Sequence, residues 1–189
     1  MSAVGPAIDT ERTVLLVLQA DHSQLAHAYH SANREHLTPW EPERGPDFFT
    51  EEAFRRIGDA SCREFLAGSA VRFIAVQKAS EKMIASCSFT NIVRGPLLGC
   101  NMGYSVAQEF EGQGIMQEVA AAAIRHMFDG VGLHRIMASH MPTNVRSERL
   151  LKRLGFEREG YARSYLRIAG QWQDMVLNSL INPKELRHD

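Results

Sequence analysis

The stretch EGQGIM, Glu111 to Met116, places two glycines around Gln113 directly ahead of about four turns of strong helix former. A strand expected to end at Val106 runs into this turn, and the helix is predicted to begin near Gly114. The first amides of a helix have no intrahelical partner and carry the positive end of its dipole, so phosphate oxygens are favoured there. Glycine lets the backbone approach such a ligand and take dihedrals that a Cβ forbids. The chemistry suggested is phosphate or pyrophosphate binding, and a tight strand-to-helix connection reads equally well from these residues alone. The turn lacks the lysine of a P-loop and the third glycine of the dinucleotide fingerprint.

Other residues with chemical capacity lie elsewhere in the chain. Asn144 and Ser147 open a short helix that is rich in Arg146, Arg149, Lys152 and Arg153. Taken alone, Asn144 is an N-cap, Ser147 a first-turn hydroxyl and the cations a solvated face. His27 and His30 share a helix face, but no compact His, Asp and Glu set with ligand spacing accompanies them, and no metal is expected.

The elements that must position these residues follow from the hydrophobic pattern. Strands are expected at 13–18, 71–77, 83–92, 100–106 and 135–140, with two more from Phe156 onward turning at Ala169 and Gly170. Helices are expected from a cap at Asp21 to about Glu35, from Thr50 through TEEAFRRIGDASCREFL, behind Gly114, and from Asn144 to Leu154. Gly58 is the weakest helix former inside the second of these, and Pro39, Pro42 and Pro46 punctuate the loop before it. The order β-α-α-β-β-β-α-β-α-β-β, with no repeat or linker, predicts one α/β (α+β) domain over residues 1–189.

Apolar residues make up 44% of the 189 and charged residues 23%, the usage of a folded globular chain rather than a disordered one. A formal charge of −1 provides no general attraction to nucleic acid or an anionic membrane, leaving only a local basic patch for such contacts. Cys62, Cys87 and Cys100 are odd in number and lack C-x-x-C spacing, which points to a reducing compartment. With neither a leader-like N-terminus nor an apolar window of bilayer length, the chain reads as cytoplasmic.

Across the second half, HRIMASHMPTNVRSERLLKRLGFEREGYARSYL resembles the GCN5-related N-acetyltransferases, in which a strand precedes an N-x-x-S or N-x-x-A helix ending in GF. Asn144, Ser147, Leu150, Gly155 and Phe156 carry the match. HLTPWEP and GQGIM narrow it to the ribosomal-protein-alanine N-acetyltransferases of the RimJ type, over roughly residues 12–182. The resemblance implies a mostly antiparallel mixed sheet of about seven strands flanked by four helices, with two central strands splaying apart to hold acetyl-CoA.

It also implies roles, position by position. Gly112, Gln113, Gly114, Ile115 and Met116 would cradle the pyrophosphate; Glu111 and Met116 depart from the family's Q/R-x-x-G-x-G/A, and the Glu111 carboxylate is expected to turn away from the anion. The backbone at Ser105 and Val106 would follow the pantetheine and donate to the acetyl carbonyl. Asn144 would bond the pantetheine, and Ser147 would sit beside the thioester sulfur as the catalytic hydroxyl. Trp40 either borders the acceptor groove or plugs the core, and Glu41 either pairs with the incoming amine or is a solvated carboxylate.

Positions where relatives carry a glutamate base fall at Asn101 and Ser139, and the position of their tyrosine acid falls at Leu151. An α-amine, with a pKa of about 7.7 to 8.0, needs such a base far less than a lysine near 10.4. The implied activity is acetyl transfer to the N-terminal alanine of a ribosomal protein, with ribosome association through a local patch, no direct nucleic-acid recognition and no membrane partner. The alternatives are a small-molecule amine acceptor, and a weakly catalytic acetyl-CoA-binding ribosome-assembly factor.

Overall fold

A computed structural model describes residues 4–184. Its centre is an eight-stranded sheet in the order β1-β2-β3-β4-β5-β6-β8-β7. The strands are β1 (Ala7–Asp9), β2 (Thr13–Val17), β3 (Val71–Gln77), β4 (Met83–Val93), β5 (Gly99–Val106), β6 (Arg135–His140), β7 (Glu157–Ile168) and β8 (Gln171–Ile181). Neighbours pair antiparallel, except for β5 and β6 at the centre. The helices are α1 (Ser23–Ala32), the single turn α2 (Arg34–Leu37), α3 (Glu51–Leu66), α4 (Ile115–Asp129) and α5 (Val145–Arg153).

The period-two alternation of β3 shows how the layers form. Val71, Phe73 and Ala75 face a core shared with α4, while Ile74 faces the other layer, with Ala26 and Tyr29 of α1 and Phe54 of α3. Helix α4 is buried along most of its length because Val119, Ala120, Ala123 and Met127 present small and flexible side chains to the sheet. At about 25 cal/mol per Å², burying a side chain such as Phe73 or Met127 contributes roughly 1.5–3 kcal/mol, so this layer fixes where α4 begins.

Several local expectations are refined. Strand β1 adds an eighth, edge strand that the sequence reading omits; it is three residues long, too short for alternation to register. The first helix does not start from an Asp21 cap: Ala20–His22 form a 3₁₀ turn capped by Gln19, and α1 follows from Ser23. It also does not run to Glu35, because Asn33 breaks it, its side-chain amide donating to the Tyr29 carbonyl at 2.9 Å and its Oδ1 accepting from the Gln108 N–H at 2.9 Å.

Helix α3 passes through Gly58 without interruption. A Cβ there would lie 2.4 Å from the Gln19 carbonyl carbon, so the glycine permits close packing of α3 on the chain leaving β2. Thr50 caps α3 through the Ala53 N–H at 3.2 Å. Ala169 and Gly170 both take positive φ in the β7–β8 turn, as a tight hairpin requires.

Candidate active site

The parallel pairing of β5 with β6 ends early. Gly99, Cys100 and Asn101 pair with Arg135, Ile136 and Met137, whereas β6 continues along β8 as far as His140. Beyond Asn101 the two strands diverge, and the β6-facing edge of β5 opens. The Ala107 N–H donates to the Ile84 carbonyl at 2.8 Å, so ladder alternation turns the Val106 and Tyr104 N–H groups toward the opening. Unpaired strand amides at the floor of a cleft are ready donors for a carbonyl oxygen.

A cavity of about 1050 Å³ occupies this opening. Ser105, Val106, Gly112, Gly114, Met116, Asn144, Ser147, Trp40 and Glu41 all line it, so the fold gathers residues that are up to 107 positions apart in sequence (147 − 40) into one chamber. Gln113 and Ile115 are not lining residues. The Gln113 side chain instead donates to the Glu109 carbonyl at 2.6 Å, and Ile115 is buried in the core below α4. Met116 is also largely a core side chain.

The glycine turn is shaped by residues that sequence reading missed. Gly114 is the residue before α4 and is left-handed, with φ 79°; Gly112 has φ 73°. Arg12, immediately before β2, donates Nη1–H to the Gln113 carbonyl at 2.8 Å and Nε–H to Glu118 Oε2 at 2.7 Å. Its backbone N–H donates to Glu118 Oε1 at 2.8 Å. Burial alone would raise the Glu118 carboxyl, but hydrogen bonds from Thr10 and Arg12 and the Arg12 charge outweigh it and hold the group below its ordinary value. Arg12 and Glu118 together fix the turn against the first turn of α4. Nothing local in the sequence signals a contact between residues 106 positions apart.

Glu111 turns to neighbouring helices: its Oε1 lies 2.7 Å from Arg146 Nη1 of α5 and 3.5 Å from His36 Nε2 of α2. The carboxylate that stands where relatives carry a cation or amide is therefore paired with one.

At the start of α5, Asn144 Oδ1 accepts the Ser147 N–H at 3.0 Å, so the capping role read from the sequence is realised. The Ser147 hydroxyl shares a 2.6 Å hydrogen bond with the Tyr104 hydroxyl of β5. Burial, outweighing the opposing effect of its Ser147 bond, pushes the Tyr104 phenol up to about 12, so it stays protonated at neutral pH. The neighbouring Ser105 points to the opposite face, where its hydroxyl meets Tyr29 at 2.8 Å and Ser86 at 2.9 Å. Burial raises Tyr29 as well, and the Ser105 bond partly offsets it.

On the acceptor side, Trp40 is 38% exposed and does not plug the core. Glu41 is half-buried on the cavity wall, where burial raises its carboxyl above the ordinary value against the pull of Arg44. Its carbonyl accepts the Ala169 N–H at 2.9 Å, so the Pro-rich loop is pinned to the β7–β8 turn. The reading of Glu41 as a solvated carboxylate is thus not the one the structure supports. Of the positions where relatives carry acid and base, Leu151 is 1% exposed in the core, Asn101 is exposed at the last position where β5 pairs with β6, and Ser139 lines the cavity. No cluster of three or more His, Cys, Asp or Glu able to hold a metal occurs among the described residues. Cys62, Cys87 and Cys100 are free thiols, and no described helix is long and apolar enough to cross a membrane.

A sheet opened between its two central parallel strands, with a glycine turn at the head of the helix between them, is the architecture of the acetyltransferase (GNAT) domain family. That family matches residues 12–157, and the chain belongs to it. Among curated relatives, the chain is 43% identical over 179 residues to the [ribosomal protein uS5]-alanine N-acetyltransferase of Escherichia coli, covering 93% of this chain and 91% of that one. Among solved structures, it superposes on the ribosomal-protein-S5-alanine acetyltransferase of Vibrio fischeri with TM-score 0.91 and 35% identity, over 95% of this chain and 98% of that one. Mycobacterium smegmatis RimJ in complex with CoA-disulfide superposes with TM-score 0.88 and 26% identity, over 100% and 93%. The chain is an N-acetyltransferase.

Proposed function

We propose that this enzyme transfers the acetyl group of acetyl-CoA to the N-terminal alanine of a ribosomal protein, in the cytoplasm, by direct attack within a ternary complex. The likeness to the E. coli uS5-alanine enzyme across nearly the full length of both chains carries the choice of acceptor.

The donor set suits a CoA thioester. The left-handed Gly112 and Gly114 leave the amides at the head of α4 open to a pyrophosphate, and the unpaired edge of β5 runs on from them. The Val106 N–H is assigned to the thioester carbonyl, where stabilising the oxyanion is worth about 2.7–4 kcal/mol in comparable sites. Asn144 is assigned to the pantetheine arm and Ser147 to the sulfur. Arg146, neutralising Glu111, keeps that carboxylate from opposing the anion.

The acceptor enters from the Trp40 side. Glu41, held half-buried with a raised carboxyl, attracts the terminal ammonium and takes its proton, since such a carboxyl is a better base than a solvated one. A substrate amine with pKa near 7.7 to 8.0 requires little more help. Incubation with acetyl-CoA and peptides beginning Ala, Ser or Met, and with a lysine-only peptide blocked at its N-terminus, tests the assignment. CoA release with the Ala peptide well above the lysine control is expected; release with none of the N-terminal peptides overturns it.

A further inference from the structure

The Tyr104 and Ser147 hydroxyls meet at 2.6 Å across the cleft, one from the central strand β5 and the other from the first turn of α5. Tyr104 lines the same cavity as Ser147, and its ring packs against the core beneath α4, so the hydroxyl has little freedom to leave this contact. We propose that Tyr104 is a positioning residue for acetyl transfer: it donates its hydroxyl hydrogen to Ser147 Oγ and so leaves the single Ser147 hydrogen to point at the thioester sulfur. The proposal rests on the reading of the cavity as a CoA thioester site and adds to it a residue outside the family motif.

A serine hydroxyl on its own rotates among several partners, and its one hydrogen is spent wherever an acceptor is nearest. Two features remove that freedom here. The Ser147 backbone N–H is fixed on Asn144 Oδ1 at 3.0 Å, which sets the direction of Cβ. The phenol, buried and protonated through the neutral range, always has a hydrogen to give across the 2.6 Å contact, and the donation is assigned to it. Two hydroxyls in sequence also polarise one another, which strengthens the outer bond.

The bond accounting is that of ordinary aminolysis. The nitrogen–carbon bond forms and the carbon–sulfur bond breaks, its electron pair remaining on sulfur. Ser147 O–H stabilises that thiolate by a hydrogen bond without giving up its proton, and the nitrogen's proton leaves through Glu41 to water. Nothing is oxidised or reduced, and Tyr104 begins and ends protonated. The arrangement also accounts for how this chain works with Leu151 buried where relatives carry a tyrosine: the Ser147 hydroxyl of α5 stabilises the leaving group and a tyrosine of strand β5 orients it.

Tyr104→Phe and Ser147→Ala test the proposal, the first keeping the ring that packs the core. With acetyl-CoA and an N-terminal Ala peptide, Tyr104→Phe is expected to lower kcat about tenfold and leave KM for acetyl-CoA unchanged. Independently of turnover, calorimetry should show CoA binding more tightly than desulfo-CoA to the wild type above about pH 8, where thiolate is populated. That preference should vanish in both variants. A preference that persists in Tyr104→Phe, or a KM that rises with kcat intact, overturns the proposal. Should Tyr104→Phe fold poorly, an unaltered preference in Ser147→Ala overturns it equally. If the wild type turns over no amine, the acceptor reading fails while the sulfur preference still decides this one.

Discussion

Gly114→Ala isolates the conformational requirement of the turn that heads α4. The native φ is 79°, in the left-handed region. The built Cβ would meet nothing nearer than Arg12 Nη2 at 3.6 Å, an ordinary contact, so the cost is one of backbone conformation and not of crowding. An alanine held left-handed costs about 1–2 kcal/mol. Gly112, Gln113 and Gly114 are exposed, so in the free enzyme the turn relaxes locally and global stability changes little. Binding must then restore the native φ, and the cost appears as a roughly 5- to 30-fold weaker affinity for CoA, with kcat at saturating acetyl-CoA near the wild-type value. Calorimetry with CoA, a thermal melt and initial rates measure the three quantities. Unchanged affinity and unchanged melting together would refute the reasoning, as would a collapse of kcat with affinity intact.

Other expectations follow from contacts at the same site. Arg12→Met removes two hydrogen bonds, one to the Gln113 carbonyl and one to Glu118 Oε2, and is expected to raise KM for acetyl-CoA about tenfold with kcat largely kept, as steady-state kinetics would show. Glu118→Gln leaves the Arg12 bond to the Gln113 carbonyl in place and should weaken binding less. Glu41→Gln should lower kcat/KM for the peptide by about 10²-fold or more. The sign for stability is opposite: a carboxyl raised by burial favours folding when protonated, and that contribution is lost as pH rises through its folded value. Thermal melts should therefore find Glu41→Gln more stable than wild type near pH 7, with the gap closing toward pH 4. Gly58→Ala would place a methyl against the Gln19–Ala20 backbone and should cost about 2–3 kcal/mol, lowering Tm by roughly 4–12 °C by circular dichroism.

Much of this organisation is legible in the sequence because it is local. Thr50 and Asn144 are capping residues by type, Ala169-Gly170 is a turn by type, and the alternation of β3 and the periodicity of α4 follow from side-chain period. The glycine turn is likewise evident before any coordinate. Features that depend on distance along the chain are not. The Arg12–Glu118 clamp, the Glu111–Arg146 pair and the Tyr104–Ser147 bond each join elements whose adjacency only the sheet order establishes. Glu41 is the reverse case. Its surroundings in sequence, PWEPER, suggest a solvated loop, whereas in the fold the carboxyl is half-buried and the loop is tied to the distant β7–β8 turn by the Ala169 N–H. The role of Tyr104 is hidden for a simpler reason: an aromatic on a strand of mixed character suits the core, and its ring is indeed packed there.

The most direct test of the account is the N-terminal mass of purified uS5, the ribosomal protein named for the E. coli relative, after incubation with acetyl-CoA and this enzyme. Tandem mass spectrometry should find one acetyl group on the alanine α-nitrogen, absent without enzyme and strongly reduced with Glu41→Gln. Acetylation confined to lysine side chains, or none on the α-amine while the enzyme still binds CoA, would contradict it.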